Sequence, residues 1–194
     1  GVGGAIVADS DGMAEWRECL VKGGFVRGVA GGHDLIETMR AEPGSGVALF
    51  DLHLDRLEAS AAELGFAFER QAVIEQIGKA GERLDEPARL RLVLARSGAI
   101  CVETAPLPVP LPDPAPAVAL PHPTVAGDWR LRHKTTDRGF YQTALAVAKE
   151  RGALEAILVR EDGRMTEGSW TNIFVRGEDG VLLTPPLALG LLPG

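Results

Sequence analysis

A proline-rich stretch between residues 106 and 123 constrains the fold of this chain more than any other sequence feature. It reads PLPVPLPDPAPAVALPHP and carries eight of the chain's 13 prolines. Proline fixes φ and lacks the backbone N–H, so this density disfavours helix and central strand and favours an extended, stiff connection. We therefore predict a linker over 106–124 between two folded parts. A proline-rich recognition sequence for a partner is the alternative use of such a stretch.

The segment before the linker, residues 31–105, has the pattern of a small α+β domain. A strand-like segment runs from His33 to Arg40, after the Gly31-Gly32 pair. Clean apolar alternation from Ala88 to Ala95 predicts another strand, which a Ser97-Gly98 turn joins to the return strand AICVETAPL. The two strands should form an antiparallel hairpin.

Two helices are expected between the first strand and this hairpin. They span about 47–66 and from Arg70 to Leu84, and Gly65 is a stop signal for the first. The residues close to the 3.6-residue period of a buried face in the first helix are Leu52, Leu57, Ala61 and Leu64.

The segment after the linker, residues 125–194, alternates helix and strand signals. Asp137 can cap a helix that runs to about Gly152, and the strand EAILVRE follows it. The inward residues of this helix should be Ala144, Leu145 and Ala148. Asp-Gly pairs at 162–163 and 179–180 separate apolar runs and predict hairpin turns.

Composition excludes several classes of function. A net charge of -7, a pI near 5.1 and scattered cations argue against a nucleic-acid or anionic-membrane surface. No apolar run approaches the ~20 residues of a membrane span, and the first residues do not resemble a signal peptide, so we expect a cytoplasmic protein. Cys19 and Cys101 lie far apart in unlike contexts and are read as ordinary reduced residues.

Three charged residues in separate segments combine into one chemical hypothesis. Arg56 lies on the first helix, Lys134 at a strand-to-helix junction, and Glu167 just ahead of an apolar run. Each alone is an ordinary surface or turn residue. Together they are a phosphate-binding arginine, an aldehyde-binding lysine and a carboxylate that can keep a pyridine nitrogen protonated, which pyridoxal phosphate chemistry requires.

This ordered set resembles the class IV aminotransferases, the fold type IV pyridoxal phosphate enzymes. The similar segments are LIETMR at 35–40, HLDRLEASAAELGF at 53–66, KTTDR at 134–138, EGSWTNIF at 167–174 and LLTPPLALGLLPG at 182–194. The branch that looks nearest is the aminodeoxychorismate lyases fused behind an aminodeoxychorismate synthase. The resemblance implies an α+β or α/β fold with a small N-terminal domain and a larger cofactor-binding domain.

The resemblance also implies roles for individual residues. Lys134 would be the catalytic lysine that binds the cofactor aldehyde, Arg56 would hold the phosphate, and Glu167 would face the pyridine nitrogen. Asn172 would support the Glu167 loop and bind the cofactor indirectly. Thr38 and Arg138 would line the substrate pocket, and His53 is interpreted as a packing histidine. The family builds its sites near a dimer interface, so a homodimer is expected.

The choice between reactions depends on Arg138. Aminotransferases of this class commonly carry a tyrosine four or five residues after the lysine, whereas Arg138 stands there in this chain and Tyr141 follows a turn later. The K-x-x-D-R form resembles the lyase branch, which would convert 4-amino-4-deoxychorismate to 4-aminobenzoate and pyruvate in folate biosynthesis. A transaminase acting on branched-chain or D-amino acids is the alternative.

The first 30 residues carry a separate signal. A strand over 3–8 and a helix from Met13 to Val29 are predicted, with Asp9-Ser10 as the cap. Glu15, Glu18 and Lys22 share one face of this helix, as a solvated stripe would.

The same segment resembles the C-terminal tail of chorismate-utilising synthases. There the second glutamate, Glu18 here, is a magnesium ligand in the intact domain, and magnesium is expected only for that missing synthase part. We therefore expect no chorismate chemistry from this fragment, and we interpret the chain as part of a two-enzyme para-aminobenzoate synthase.

The end of the sequence suggests a third possibility. The family continues past L-P-G with a turn and a helix that cradle the phosphate, whereas this chain stops at Gly194. The cofactor-binding domain is therefore expected to be truncated, and a non-catalytic remnant is the further alternative.

Overall fold

The structure, a computed structural model, describes residues 32–193. The predictions made for residues 1–30, including the Glu18 face and the helix that carries Cys19, lie outside the described residues. No helix in the described part of the chain has the length and apolar character that crossing a membrane requires.

Residues 35–106 contain an antiparallel four-stranded sheet. Its strands are β1 (Leu35–Glu42), β2 (Gly46–Val47), β3 (Ala88–Leu94) and β4 (Ile100–Pro106), in the order β2-β1-β3-β4. β3 buries alternate leucines, and Gly98 at φ 87° turns the chain into β4. The predicted hairpin is confirmed.

Two helices, α1 (Phe50–Leu64) and α2 (Arg70–Gly81), pack on this sheet and complete its apolar core. α1 ends at Gly65, whose left-handed φ of 71° costs glycine no Cβ strain. The buried residues of α1 are Leu54, Leu57, Ser60 and Ala61. The prediction that Leu52 shares this face is wrong, since Leu52 is 62% exposed. It lies two residues before the buried Leu54, and residues two apart on a helix do not face the same way.

A second sheet lies in the later half of the chain. Its strands, in spatial order, are β5 (Ala117–Pro121), β6 (Glu155–Val159) and β7 (Met165–Gly168). β5 and β6 are parallel and are connected through α3 (Gly139–Glu150), whereas β6 and β7 form the antiparallel hairpin predicted from Asp162-Gly163. A separate apolar core joins this sheet to α3.

β5 corrects the linker prediction. The predicted connection over 106–124 contains this strand, so the expectation of an unbroken linker is wrong for residues 117–121. Among the strands that the structure describes, β5 pairs with β6 alone and lies at the edge of the sheet, and Pro121 is its last residue. An edge strand needs hydrogen bonds on one side only, which is why a proline-rich segment can supply it.

The start of α3 also differs from the prediction. Asp137 is not its cap; Arg138 occupies that position and makes no capping hydrogen bond through its side chain. The Asp137 carboxylate instead lies 3.6 Å from Arg130 Nη1. Ala144 and Ala148 are buried, as predicted.

Beyond the second sheet, β8 (Val175–Arg176) and β9 (Leu182–Leu183) form a short antiparallel pair. Gly180, at φ 81°, closes the predicted Asp-Gly turn between them. A single 3-10 turn, Leu187–Leu189, follows.

Candidate active site

The backbone around Lys134 is fastened to the beginning of β1. Ile36 N–H donates to the Lys134 carbonyl at 2.9 Å, and Thr136 N–H donates to the Asp34 carbonyl at 2.9 Å. The preceding His133 is buried and its ring bonds to α1. The lysine therefore projects from a segment that the first sheet holds in place.

Lys134 lines one pocket together with Arg138, Tyr141, Glu167 and Asn172. We call Lys134, Arg138, Tyr141 and Glu167 the lysine cluster. Tyr141 Oη donates a hydrogen bond to Glu167 Oε1 at 2.6 Å, and the Arg138 guanidinium carbon lies 5.0 Å from the centre of the Tyr141 ring. Within residues 32–193, no carboxylate forms an ion pair with Lys134 or with Arg138.

The pKa of Lys134 depends on its burial and on the charges of its neighbours. Burial is the main cause that lowers the pKa of Lys134 from 10.5 to about 8, and the positive charge of Arg138 acts in the same direction. The charges of Glu37 and Glu167 oppose the shift. A lysine with a pKa near 8 can supply the neutral amine that a nucleophile requires near neutral pH.

Glu167, near the end of β7, and Asn172 lie on either side of a tight turn over residues 168–171. Gly168 N–H donates to the Thr171 carbonyl at 2.9 Å, and Thr171 Oγ1 donates to the buried Glu155 at 2.7 Å. A Cβ at Gly168 would lie 2.2 Å from Thr171 Oγ1, so this turn requires glycine. The loop presents both residues to the pocket from a fixed backbone.

Arg56 belongs to a second group of charges, Glu37, His53 and Arg56, which we call the arginine cluster. Arg56 Nε and Nη2 donate to the two oxygens of Glu37 at 2.8 and 2.5 Å. His53 Nδ1 lies 2.8 Å from Glu37 Oε2, so the histidine interpreted as a packing residue is also a hydrogen-bonding partner. Burial raises the pKa of Glu37, but hydrogen bonds from Arg56 and His53 outweigh it and lower the pKa overall.

The Nη1 side of the Arg56 guanidinium faces the C-terminal segment. Its Nη1 donates to the Pro193 carbonyl at 2.5 Å, and the neighbouring Leu192 lines the Lys134 pocket. The charge of Arg56 also contributes to lowering the pKa of Lys134. Arg56, the predicted phosphate-binding residue, therefore lies near the Lys134 pocket. Its Nε and Nη2 already donate to Glu37.

The residues present fit pyridoxal phosphate. The Lys134 pocket has about 50 Å³, and an adjoining pocket of about 350 Å³ shares Glu167, Asn172 and Leu192 with it. Ligand sites commonly occupy about 300–1,000 Å³. A cavity of about 860 Å³ along residues 119–126 and 159–162 is larger, but neither Lys134 nor Glu167 lines it, so chemistry rather than volume identifies the site.

The structure does not bring Thr38, a predicted substrate-pocket residue, to the lysine cluster. It is exposed on β1 and lines a different pocket with Leu107 and Pro108. Side chains alternate along a strand, so the adjacent Glu37 is the buried one.

Two residues of the site were missed by sequence reasoning. Glu37 occupies an inward position of β1 between Leu35 and Met39, and an acid in the apolar phase of a strand is a detectable signal. His122 Nε2 lies 3.8 Å from Glu167 Oε1, but its position in the proline-rich stretch gave no such indication.

Comparisons with known proteins identify the family of this chain. The model of the family described as amino-transferase class IV matches residues 34–194. A solved structure from Mesorhizobium loti, provisionally assigned as an amino-acid aminotransferase, is 40% identical with a TM-score of 0.75 and covers 84% of this chain and 79% of its own. No curated protein matched the chain.

Two further solved structures widen the comparison. One, provisionally assigned as a 4-amino-4-deoxychorismate lyase, is 27% identical with a TM-score of 0.72 and covers 87% of this chain and 68% of its own. The pyridoxal phosphate-bound form of a hypothetical aminotransferase from Mycobacterium tuberculosis is 23% identical with a TM-score of 0.73. It covers 87% of this chain and 66% of its own. The last likeness shows the fold alone.

The fold and the family match define an enzyme with a mixed α/β architecture. The chain belongs to the class IV aminotransferase family.

Proposed function

We propose that this chain is a pyridoxal phosphate-dependent 4-amino-4-deoxychorismate lyase, which forms 4-aminobenzoate and pyruvate. The observation that carries the proposal is the pocket in which Lys134, with its pKa lowered to about 8, lies with Glu167 and Arg138. A lyase needs an amine that can take up and release a proton, and Lys134 meets that requirement. Arg138, four residues after Lys134, matches the lyase form of the motif.

Each residue has a role toward the cofactor. When bound, pyridoxal phosphate supplies an aldehyde that captures the substrate amine and a ring that withdraws electrons. Lys134 would bind the aldehyde, and Glu167 would accept a hydrogen bond from the pyridine nitrogen. Arg56 would contact the phosphate through Nη1, because its Nε and Nη2 are engaged by Glu37. Asn172 would hold the loop that carries Glu167.

The reaction balances without water or an oxidant. Lys134 Nζ would remove the proton from the substrate ring carbon, and the C–O bond to the enolpyruvyl group would break with its electron pair leaving on oxygen. That oxygen takes a proton, and the released enol becomes pyruvate. The ring becomes aromatic, which drives the step, and Arg138 would hold a substrate carboxylate by a charge-assisted hydrogen bond.

A transaminase acting on branched-chain or D-amino acids is the second candidate. It is favoured by the 40% identity with the Mesorhizobium loti protein, which is provisionally assigned as an amino-acid aminotransferase. The pocket supports either reaction, because both require a lysine amine next to a carboxylate-bound pyridine nitrogen.

The reactions separate in one experiment. Cofactor-supplemented protein is given 4-amino-4-deoxychorismate, and 4-aminobenzoate and pyruvate are quantified by chromatography and a lactate dehydrogenase assay. We expect equal amounts of both products, their loss in Lys134→Arg and their retention in Lys149→Arg, which changes an exposed lysine of α3.

Other outcomes contradict the lyase. Accumulation of pyridoxamine phosphate with branched-chain or D-amino acids, without 4-aminobenzoate, would establish the transaminase. Bound cofactor with neither activity would establish the non-catalytic remnant.

The wider context is also a proposal. The likeness of residues 1–30 to a synthase tail supports a two-enzyme para-aminobenzoate synthase in the cytoplasm, with magnesium held by Glu18 only in the intact synthase part. A homodimer is proposed from the family resemblance.

A further inference from the structure

Only one oxygen of the Glu167 carboxylate has partners in the described part of the chain. Tyr141 Oη donates to Oε1 at 2.6 Å, and His122 Nε2 lies 3.8 Å from the same oxygen. Among residues 32–193, no donor contacts Oε2. Glu167 lines the Lys134 pocket, so the carboxylate is held on one side and is available on the other.

The other ring nitrogen of His122 contacts Thr124. Thr124 N–H donates to His122 Nδ1 at 3.2 Å, and the Thr124 carbonyl oxygen lies 3.3 Å from the same nitrogen. In the tautomer in which Nδ1 accepts from Thr124 N–H, Nε2 carries the proton and can donate to Glu167. His122 Nε2 is buried and makes no hydrogen bond with the described residues. Hydrogen bonds of this kind reach about 3.2 Å, so a small movement of the ring brings Nε2–H onto Glu167 Oε1.

Tyr141 is fixed more firmly than His122. Its side chain is 8% exposed and belongs to the apolar core between α3 and the second sheet. Burial is the main cause that raises the pKa of Tyr141, and the negative charge of Glu167 and the hydrogen bond to it act in the same direction. The other charges that act on the phenol are Arg138 and Asp128. The tyrosine therefore stays protonated and donates to Glu167.

We propose that Tyr141 and His122 are positioning residues that hold Glu167 through Oε1 and so direct Oε2 toward the cofactor pyridine nitrogen. The proposal rests on the proposed binding of pyridoxal phosphate. It assigns a function to the tyrosine seven residues after the lysine. This tyrosine acts through Glu167 rather than by contact with the reacting atoms.

The contact itself can be tested without cofactor. The chain has a single tyrosine, so its ionisation is followed by tyrosinate absorbance during a pH titration. In cofactor-free wild type the transition should lie above the ordinary value of 10, and in Glu167→Gln it should move down toward that value, because the negative charge beside the phenol is removed. Identical transitions in the two proteins would show that Tyr141 and Glu167 do not interact.

The effect on the cofactor is tested with Tyr141→Phe and His122→Leu, because leucine has no donor for Glu167. Both should weaken pyridoxal phosphate binding, Tyr141→Phe by roughly tenfold, since a hydrogen bond to a charged group is lost. Both should also shift the pH midpoint of the cofactor absorbance band. Thr143→Val is the matched control, because it removes an exposed hydroxyl from the same helix and should change neither quantity.

The outcomes separate this inference from the proposed function. Wild type that binds cofactor while Tyr141→Phe binds it with equal affinity and an unchanged midpoint would overturn the inference alone. Wild type that takes up no cofactor would overturn the proposed function and the inference with it. If Tyr141→Phe is unstable, His122→Leu in the folded protein gives the same decision through the absorbance midpoint.

Discussion

The arginine cluster and the lysine cluster contain similar charges but use them differently. In the arginine cluster, Glu37 is 2% exposed and both of its oxygens accept hydrogen bonds from Arg56. In the lysine cluster, Glu167 is hydrogen-bonded through one oxygen, and no carboxylate of the described residues forms an ion pair with Lys134 or Arg138. The carboxylate of the first cluster is satisfied by the protein itself.

The difference shows which charges stabilise the fold and which are left for a ligand. A buried carboxylate whose hydrogen-bonding needs are met within the protein, such as Glu37, has little left to bind a ligand. A lysine with a lowered pKa beside a half-satisfied carboxylate is typical of a functional site. Arg56 links the two clusters, because it pairs with Glu37 and also acts on the pKa of Lys134.

The largest expected effect is on the arginine cluster. Glu37→Gln should lower the free energy of unfolding by about 3–5 kcal/mol, because it leaves the guanidinium of Arg56 buried without its partner charge. Chemical denaturation at neutral pH measures this. The pKa of Glu37 is lowered by folding, so its contribution is present above 4.5 and should be lost as the pH falls through the folded value.

An exposed pair provides the control for Glu37. Glu42→Gln breaks the Arg40–Glu42 pair, whose side chains are 55% and 46% exposed, and should cost less than about 1 kcal/mol. Equal losses in the two variants would show that burial does not distinguish the pairs.

A smaller effect is expected when the other carboxylate is changed. Glu167→Gln should change the free energy of unfolding of the cofactor-free protein by less than about 1 kcal/mol, because the amide oxygen can still accept from Tyr141. The same variant should bind pyridoxal phosphate more weakly. A loss of stability as large as that of Glu37→Gln would make Glu167 a structural residue instead.

The smallest effect is a change in the ionisation of Lys134. Competitive acetylation of the cofactor-free protein, read by peptide mass spectrometry, should give a pH midpoint near 8 for this lysine. Arg138→Met should raise the midpoint, since it removes a positive charge that lowers the pKa of Lys134. A midpoint near 10.5 in wild type would contradict the burial of the amine.

Local patterns predicted most of the elements in the described part of the chain. Apolar alternation predicted β3. The Asp-Gly pairs predicted the turn before β7 and the turn after β8, because these signals depend on neighbouring residues alone. β5 was not predicted, because its pairing with β6 joins segments that are distant in the chain.

The same limit applies to the site. Motif spacing identified Lys134, Glu167 and Asn172, which line one pocket. It could not show that Glu37 pairs with Arg56 or that His122 lies near Glu167, because both contacts depend on tertiary packing. Thr38 was selected from its motif, although strand alternation places its neighbour Glu37 inside.

The most direct test of the account asks which amine captures the cofactor. Cofactor-free protein is mixed with pyridoxal phosphate, reduced with borohydride, digested and analysed by mass spectrometry. The account predicts that the cofactor-derived mass is found on the peptide carrying Lys134 and disappears in Lys134→Arg. Modification spread equally over the other lysines, or absent from Lys134, would contradict it.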